Sequence, residues 1–174
     1  LRDLLDLLIA ERIVLLYSPS GAGKSSLIHA GLIPRLREVG FQVLPVIRVS
    51  QEPPQGSPLN RYLFSTLLSL EEGQPTEHRL DASHLSTLGL LDYLDQRLLS
   101  QQPDQVSAEP ASQVLIFDQF EEILTLDPTD QAGKAAFFSQ LGAALRDRNR
   151  WALIALREDY VAALDPYLRH IPTR

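Results

Sequence analysis

Apolar positions along this chain follow two alternating rhythms. From Leu1 to Arg12, Leu4, Leu5, Leu7, Leu8 and Ile9 fall at helical spacing among charges, and Ile13 to Tyr17 follows as a short unbroken apolar run. This pattern predicts a helix and then a buried strand. Lys24 to about Ile33 is apolar at Leu27, Ile28, Leu32 and Ile33, so a helix is predicted to open directly from a glycine-rich turn. Pro34 then predicts a kink or a stop before Leu36 to Val39 and the turn at Gly40. Phe41 to Ser50 contains Val43, Leu44, Val46, Ile47 and Val49, and Pro45 within it argues for an edge strand or an irregular start.

Glu52 to Pro58 reads as loop. Leu59 to Leu70 and His84 to Leu99 read as helices, the second with Leu85, Leu88, Leu91, Leu94 and Leu98 along one face. Gln101 to Ser112, with Pro103 and Pro110 among polar residues, reads as a flexible connection. Val114 to Phe117 is a four-residue apolar strand ending at Asp118. Phe120 to Leu126 reads as a short helix, Asp130 to about Arg148 as a longer one, and Trp151 to Leu156 as another apolar strand, ending in Arg157 before a last helical stretch. Apolar strands alternating with helices imply a mostly parallel sheet covered on both faces.

Composition narrows the function. One ordinary domain fits in 174 residues, and a net charge of -6 provides no global basic field for nucleic acid. With no cysteine, disulfides and thiolate zinc sites are excluded, and the four histidines share no ligand spacing. The chain fits a reducing cytoplasm. No apolar run is long enough to span a bilayer. There is no methionine, not even an initiator, so the chain reads as an excised piece of a longer protein.

The chemistry concentrates at strand ends. Ser18-Pro19-Ser20-Gly21-Ala22-Gly23-Lys24-Ser25-Ser26 lies between a predicted strand and a predicted helix, as a phosphate-binding loop requires. Glycines at 21 and 23 let the backbone amides of Ser20 to Ser26 approach an anion, and the helix start aims its unpaired N–H groups at it. Lys24 would reach the β- and γ-phosphates of a nucleotide, and the Ser25 hydroxyl would ligate magnesium. The pattern G-x-x-x-x-G-K-[ST] is broken at its first glycine, where Ser18 stands.

Val114-Leu115-Ile116-Phe117-Asp118 has the form of a Walker B element, delivering a carboxylate for magnesium; alone, such an aspartate serves as well as a helix cap. Glu121 or Glu122 could align a water for attack on the γ-phosphate. Arg157 is placed either to contact that phosphate or to form a salt bridge with Glu158, Asp159 or Glu122. Arg146, Arg148 and Arg150 read as a solvated face at a helix end. No Asn/Thr-Lys-x-Asp string reads guanine, which favours ATP, and no Leu-Ser-Gly-Gly signature points to a transporter ATPase.

Ser-Gly-Ala-Gly-Lys-Ser-Ser-Leu, then Phe-Asp-Gln-Phe-Glu-Glu, then Ala-Leu-Arg-Glu-Asp-Tyr resembles the novel STAND group of bacterial signal-transducing P-loop ATPases. The resemblance covers nearly the whole chain. It implies a three-layer α/β P-loop NTPase core over residues 1–174, truncated before the last strand and helical lid. It implies Lys24 and Ser25 for phosphate and magnesium, Asp118 for magnesium, Glu121 or Glu122 for hydrolysis, and Arg157 as sensor. It also implies ATP and Mg2+ as cofactors, homo-oligomerisation as the switched output, and sensor repeats and an effector domain elsewhere in one long chain. A nucleotide-dependent scaffold without turnover and a small-molecule kinase are the competing readings.

Overall fold

The computed structural model describes residues 1–55, 59–101 and 111–172. Among these, four parallel strands form one sheet in the order β1 (Ile13–Ser18), β4 (Arg150–Arg157), β3 (Gln113–Phe117), β2 (Gln42–Val43). The register runs from Ile13 opposite Ala152 to Ser18 opposite Arg157, and Phe117 lies opposite Ile154. All strands therefore end at one edge, where open parallel sheets bind their ligands.

Alternation along each strand divides the core in two. Val14, Val114, Ile116, Leu153 and Ala155 face Leu5 and Leu8 of α1 (Arg2–Glu11) and Ile28, Leu32 and Leu36 from the helical segment after β1. Leu115, Phe117, Ala152, Ile154 and Leu156 face the other way. There they meet α4 (Arg61–Glu71), α6 (Leu90–Gln101), α8 (Gln131–Leu145) and α9 (Asp165–Leu168). Both faces being covered explains why β3 and β4 read as unbroken apolar runs. The result is the three-layer α/β sandwich expected of a P-loop NTPase.

The helical segment runs through Pro34 instead of stopping there. It begins as α2 (Lys24–Ser26), widens into a π-helical stretch at Leu27–Leu32, and resumes as α3 (Ile33–Glu38). The Ile33 N–H bonds the carbonyl of Ile28, five residues back. This shift out of the ordinary ladder immediately precedes the proline, whose missing N–H would otherwise break it. Pro45 acts as the sequence suggests: β2 is an edge strand whose pairing lapses there and resumes where Ile47 bridges Phe117.

The predicted helix from His84 to Leu99 is two helices. Asp81 caps α5 (Ala82–Leu85), and the Ser86 and Thr87 hydroxyls bond the carbonyls of Ser83 and His84, closing the turn before Gly89. The Leu90 N–H that opens α6 donates to the Gln140 side chain. The break changes the phase, so Leu85, Leu90 and Leu94 are buried while Leu91 is exposed. Of the connection predicted over Gln101 to Ser112, residues 102–110 lie outside the described residues, as do 56–58 of the loop after Glu52.

Arg150 corrects another expectation. Arg146 and Arg148 are exposed, but Arg150 is buried at the start of β4, paired with Asp95 and Asp147. Arg12 serves the same corner. It holds a positive φ of 64°, and its guanidinium donates to the carbonyls of Leu145, Asp147 and Arg150. These bonds tie the start of β1 to the turn that feeds β4.

Candidate functional site

The turn after β1 is shaped by two left-handed glycines, Gly21 at φ 76° and Gly23 at φ 83°. A Cβ at either position would enter open space, so the backbone angle, not crowding, requires glycine there. Gly23 is the N-cap of α2, and no side chain caps this helix start. The first N–H groups of the helix are thus left for an anion. Ser18, by contrast, lies in extended backbone as the last residue of β1, so the loss of the motif's first glycine leaves the turn unstrained.

The Lys24 ammonium folds over the base of its own loop. It donates to the Ser18 carbonyl at 3.0 Å, the Ser18 hydroxyl at 3.0 Å and the Pro19 carbonyl at 3.2 Å. Ser25 is drawn to the neighbouring structure, its hydroxyl donating to Asp118 Oδ2 at 2.8 Å. Asp118 is buried, accepts the Gln119 N–H on Oδ1 at 3.0 Å, and faces the Arg48 guanidinium at 3.8 Å. It is no helix cap: α7 (Glu122–Thr125) follows Glu121 and has no side-chain cap.

The segment after Asp118 turns sharply. Gln119 takes a positive φ of 56°, uncommon for a residue with a side chain. The Phe120 N–H bonds the Ala155 carbonyl of β4 at 2.9 Å. That crossing lays Glu121 beside the end of β4, where its Oε2 accepts the Arg157 N–H at 3.2 Å. The Arg157 guanidinium pairs with Asp159 and lies over the Tyr160 ring at 5.4 Å. Neither Glu158 nor Glu122 is its partner in these pairings.

These groups enclose a cleft of about 300 Å³ lined by Ser20, Gly21, Ala22, Gly23, Lys24, Ser25, Ser26, Asp118, Gln119, Glu121 and Arg157. Every candidate residue of the sequence reading is present except Glu122. Its carboxyl does not line the cleft but lies beside Ser50 and Arg48, and one of its oxygens is buried with no hydrogen-bond partner. Burial pushes that carboxyl above its ordinary pKa, against the lowering effects of a Ser50 hydrogen bond and the Arg48 charge. The two adjacent glutamates are thereby separated in place: Glu121 lines the cleft and Glu122 does not.

Two site residues went unread in the sequence. Arg48 ends an apolar pair, Val46-Ile47, on an edge strand, the same signal that singled out Arg157; Pro45 obscured it. Gln119 offered no signal, since its conformation follows from the turn between β3 and α7.

A glycine turn between strand and helix, facing an aspartate at the end of a second strand across a parallel sheet, defines a P-loop NTPase fold. The family model described as Novel STAND NTPase 1 matches residues 1–172, and the chain belongs to that family. Among solved structures, it is similar to a Walker-type ATPase of Pyrococcus abyssi, with 18% identity and a TM-score of 0.61. The match covers 99% of this chain and 49% of that one, so this chain spans about half the length of that protein. No curated protein matches.

Proposed function

We propose that this chain is an ATP-operated switch module that binds Mg2+-ATP in the cleft and hydrolyses it slowly. The observation that carries the reading is the meeting of Ser25, Asp118 and Glu121 at one edge of the sheet, beside the glycine turn. The backbone amides of Ser20 to Ser26 and the Lys24 ammonium would bind the phosphates. The Ser25 hydroxyl and Asp118 carboxylate, two hard oxygen donors 2.8 Å apart, suit magnesium and would hold it together with phosphate oxygens. The metal would supply charge neutralisation at the transferring phosphoryl group.

Glu121 is the carboxylate positioned to orient a water and accept its proton, with its own geometry fixed by the Arg157 N–H. Arg157 would report the terminal phosphate by exchanging its contact with Asp159 for one with the nucleotide. ATP is favoured over GTP because no guanine-reading string occurs. The switch would act through self-association, with sensing and effector segments in the same protein, and would work in the cytoplasm. No helix among the described residues is long and apolar enough to cross a membrane.

The test is steady-state ATP hydrolysis by the full-length protein, comparing wild type with Glu121→Gln and with Lys24→Ala as baseline. Turnover that falls to the baseline with Glu121→Gln supports the reading. No wild-type turnover above the baseline leaves only the scaffold. Molar mass by light scattering with ATP and with ADP tests the switch, and equal masses refute it.

A further inference from the structure

The departure of this loop from the phosphate-binding pattern places a hydroxyl where the motif has none. Lys24 is the cation that the glycine turn itself offers to a phosphate, and an ammonium has three protons to donate. All three find acceptors inside the loop: two are backbone carbonyls, of Ser18 and Pro19, and the third is the Ser18 hydroxyl. The carbonyls would be present whatever residue stood at position 18. The hydroxyl is the addition, and its other contact is a long one, Ser18 Oγ donating to the Pro19 carbonyl at 3.4 Å.

A phosphate oxygen that takes a proton from Lys24 must displace one of these acceptors. The carbonyls belong to a strand end and a proline, so the side chain is the partner that can yield. With glycine or alanine at 18, one N–H of the ammonium would have no acceptor in the loop and would be free for the ligand. Backbone strain does not account for the residue, because position 18 lies in extended backbone that any residue adopts.

Resting on the proposed nucleotide reading, we propose that Ser18 is a positioning residue. Its hydroxyl holds the Lys24 ammonium in its own loop and sets the affinity for nucleotide phosphates below that of a site with glycine at this position.

The experiment is calorimetric titration of the full-length protein with Mg2+-ATP and with pyrophosphate. The variants are Ser18→Ala, Ser18→Gly and Ser18→Thr, each also combined with Lys24→Met. Ser18→Ala and Ser18→Gly are expected to tighten both ligands by roughly three- to tenfold, the scale of one hydrogen bond to a charged group that is partly screened by solvent. Ser18→Thr, which keeps the hydroxyl, should bind like wild type. In the Lys24→Met background the Ser18 substitutions should have no effect, which a merely structural role would not produce. Unchanged or weaker binding with Ser18→Ala overturns the inference while leaving the nucleotide reading intact. If wild-type protein and all variants bind neither ligand, the nucleotide reading fails, and this inference falls with it.

Discussion

The Ser25 hydroxyl and the Asp118 carboxylate, 93 residues apart in sequence, meet in a 2.8 Å hydrogen bond. The bond joins the helix that leaves β1 to the end of β3 across the intervening strand β4. Both groups are oxygen donors, and both would face the same cation. Substituting either is therefore expected to abolish the same quantity, the gain in nucleotide affinity that magnesium confers. Ser25→Ala and Asp118→Asn should each reduce that gain by roughly tenfold or more, while leaving metal-free nucleotide binding within a few fold. Titration of ATP with magnesium and with a chelator checks this. A variant that weakens binding equally under both conditions would place its residue on the phosphates or in the scaffold instead.

The two adjacent glutamates should behave differently. Glu121 lines the cleft and is held by the Arg157 N–H, whereas Glu122 lies outside the lining, beside Ser50 and Arg48. Glu121→Gln is expected to lower the hydrolysis rate by about 10²- to 10⁴-fold with ATP affinity nearly unchanged, the range for a lost general base. Glu122→Gln should retain most of the rate. Single-turnover hydrolysis with bound ATP separates the two, and the reverse ranking would overturn the assignment to Glu121 in favour of Glu122.

Much of this arrangement was legible in the sequence because it depends on local patterns. The apolar runs of β3 and β4 mark strands buried on both faces, and the residues just beyond them, Asp118 and Arg157, fall at the ligand edge by topology alone. What stayed hidden depends on contacts between distant segments. Glu121 and Glu122 are equivalent in a linear reading. The bond from the Phe120 N–H to Ala155 turns one of them into the cleft. The leucine stripe from Leu85 to Leu98 looked continuous because periodicity does not register the Ser86 and Thr87 hydroxyls that stop the first helix. Arg150 looked solvated because its burial and its pairing with Asp95, far away in the chain, are tertiary; the nearby Asp147 alone gives no sign of them.

Gly142 is another position whose constraint is tertiary. It sits within α8, where an alanine would normally raise helix stability. A Cβ there would stand 1.9 Å from the carbonyl oxygen of His170, in the segment that follows α9. Because the obstacle is backbone, Gly142→Ala must push that segment off the helix, and overpacking of this kind costs about 1–3 kcal/mol. Denaturant unfolding should show the loss. A variant as stable as wild type would mean that the segment after α9 moves aside freely.

Tyr62 gives the fold an alkaline limit. The ring is fully buried against Phe137, yet its hydroxyl has no hydrogen-bond partner. Burial first, and then the nearby Asp130 carboxylate, pushes its pKa up from 10.0 to about 12. Between those values the unfolded chain releases the proton while the folded chain keeps it. The stability this contributes is complete below the unfolded value and is lost as pH rises toward the folded one. Tyr62→Phe removes both the titration and the unpaired hydroxyl. It is expected to match or exceed wild-type stability near neutrality, by up to about 1 kcal/mol, because no bond is lost. Its advantage should widen between about pH 9 and about pH 11, where wild type weakens. Paired denaturant titrations at those two pH values decide the matter: parallel decline of both proteins would show that Tyr62 ionises as readily in the folded state as in the unfolded one.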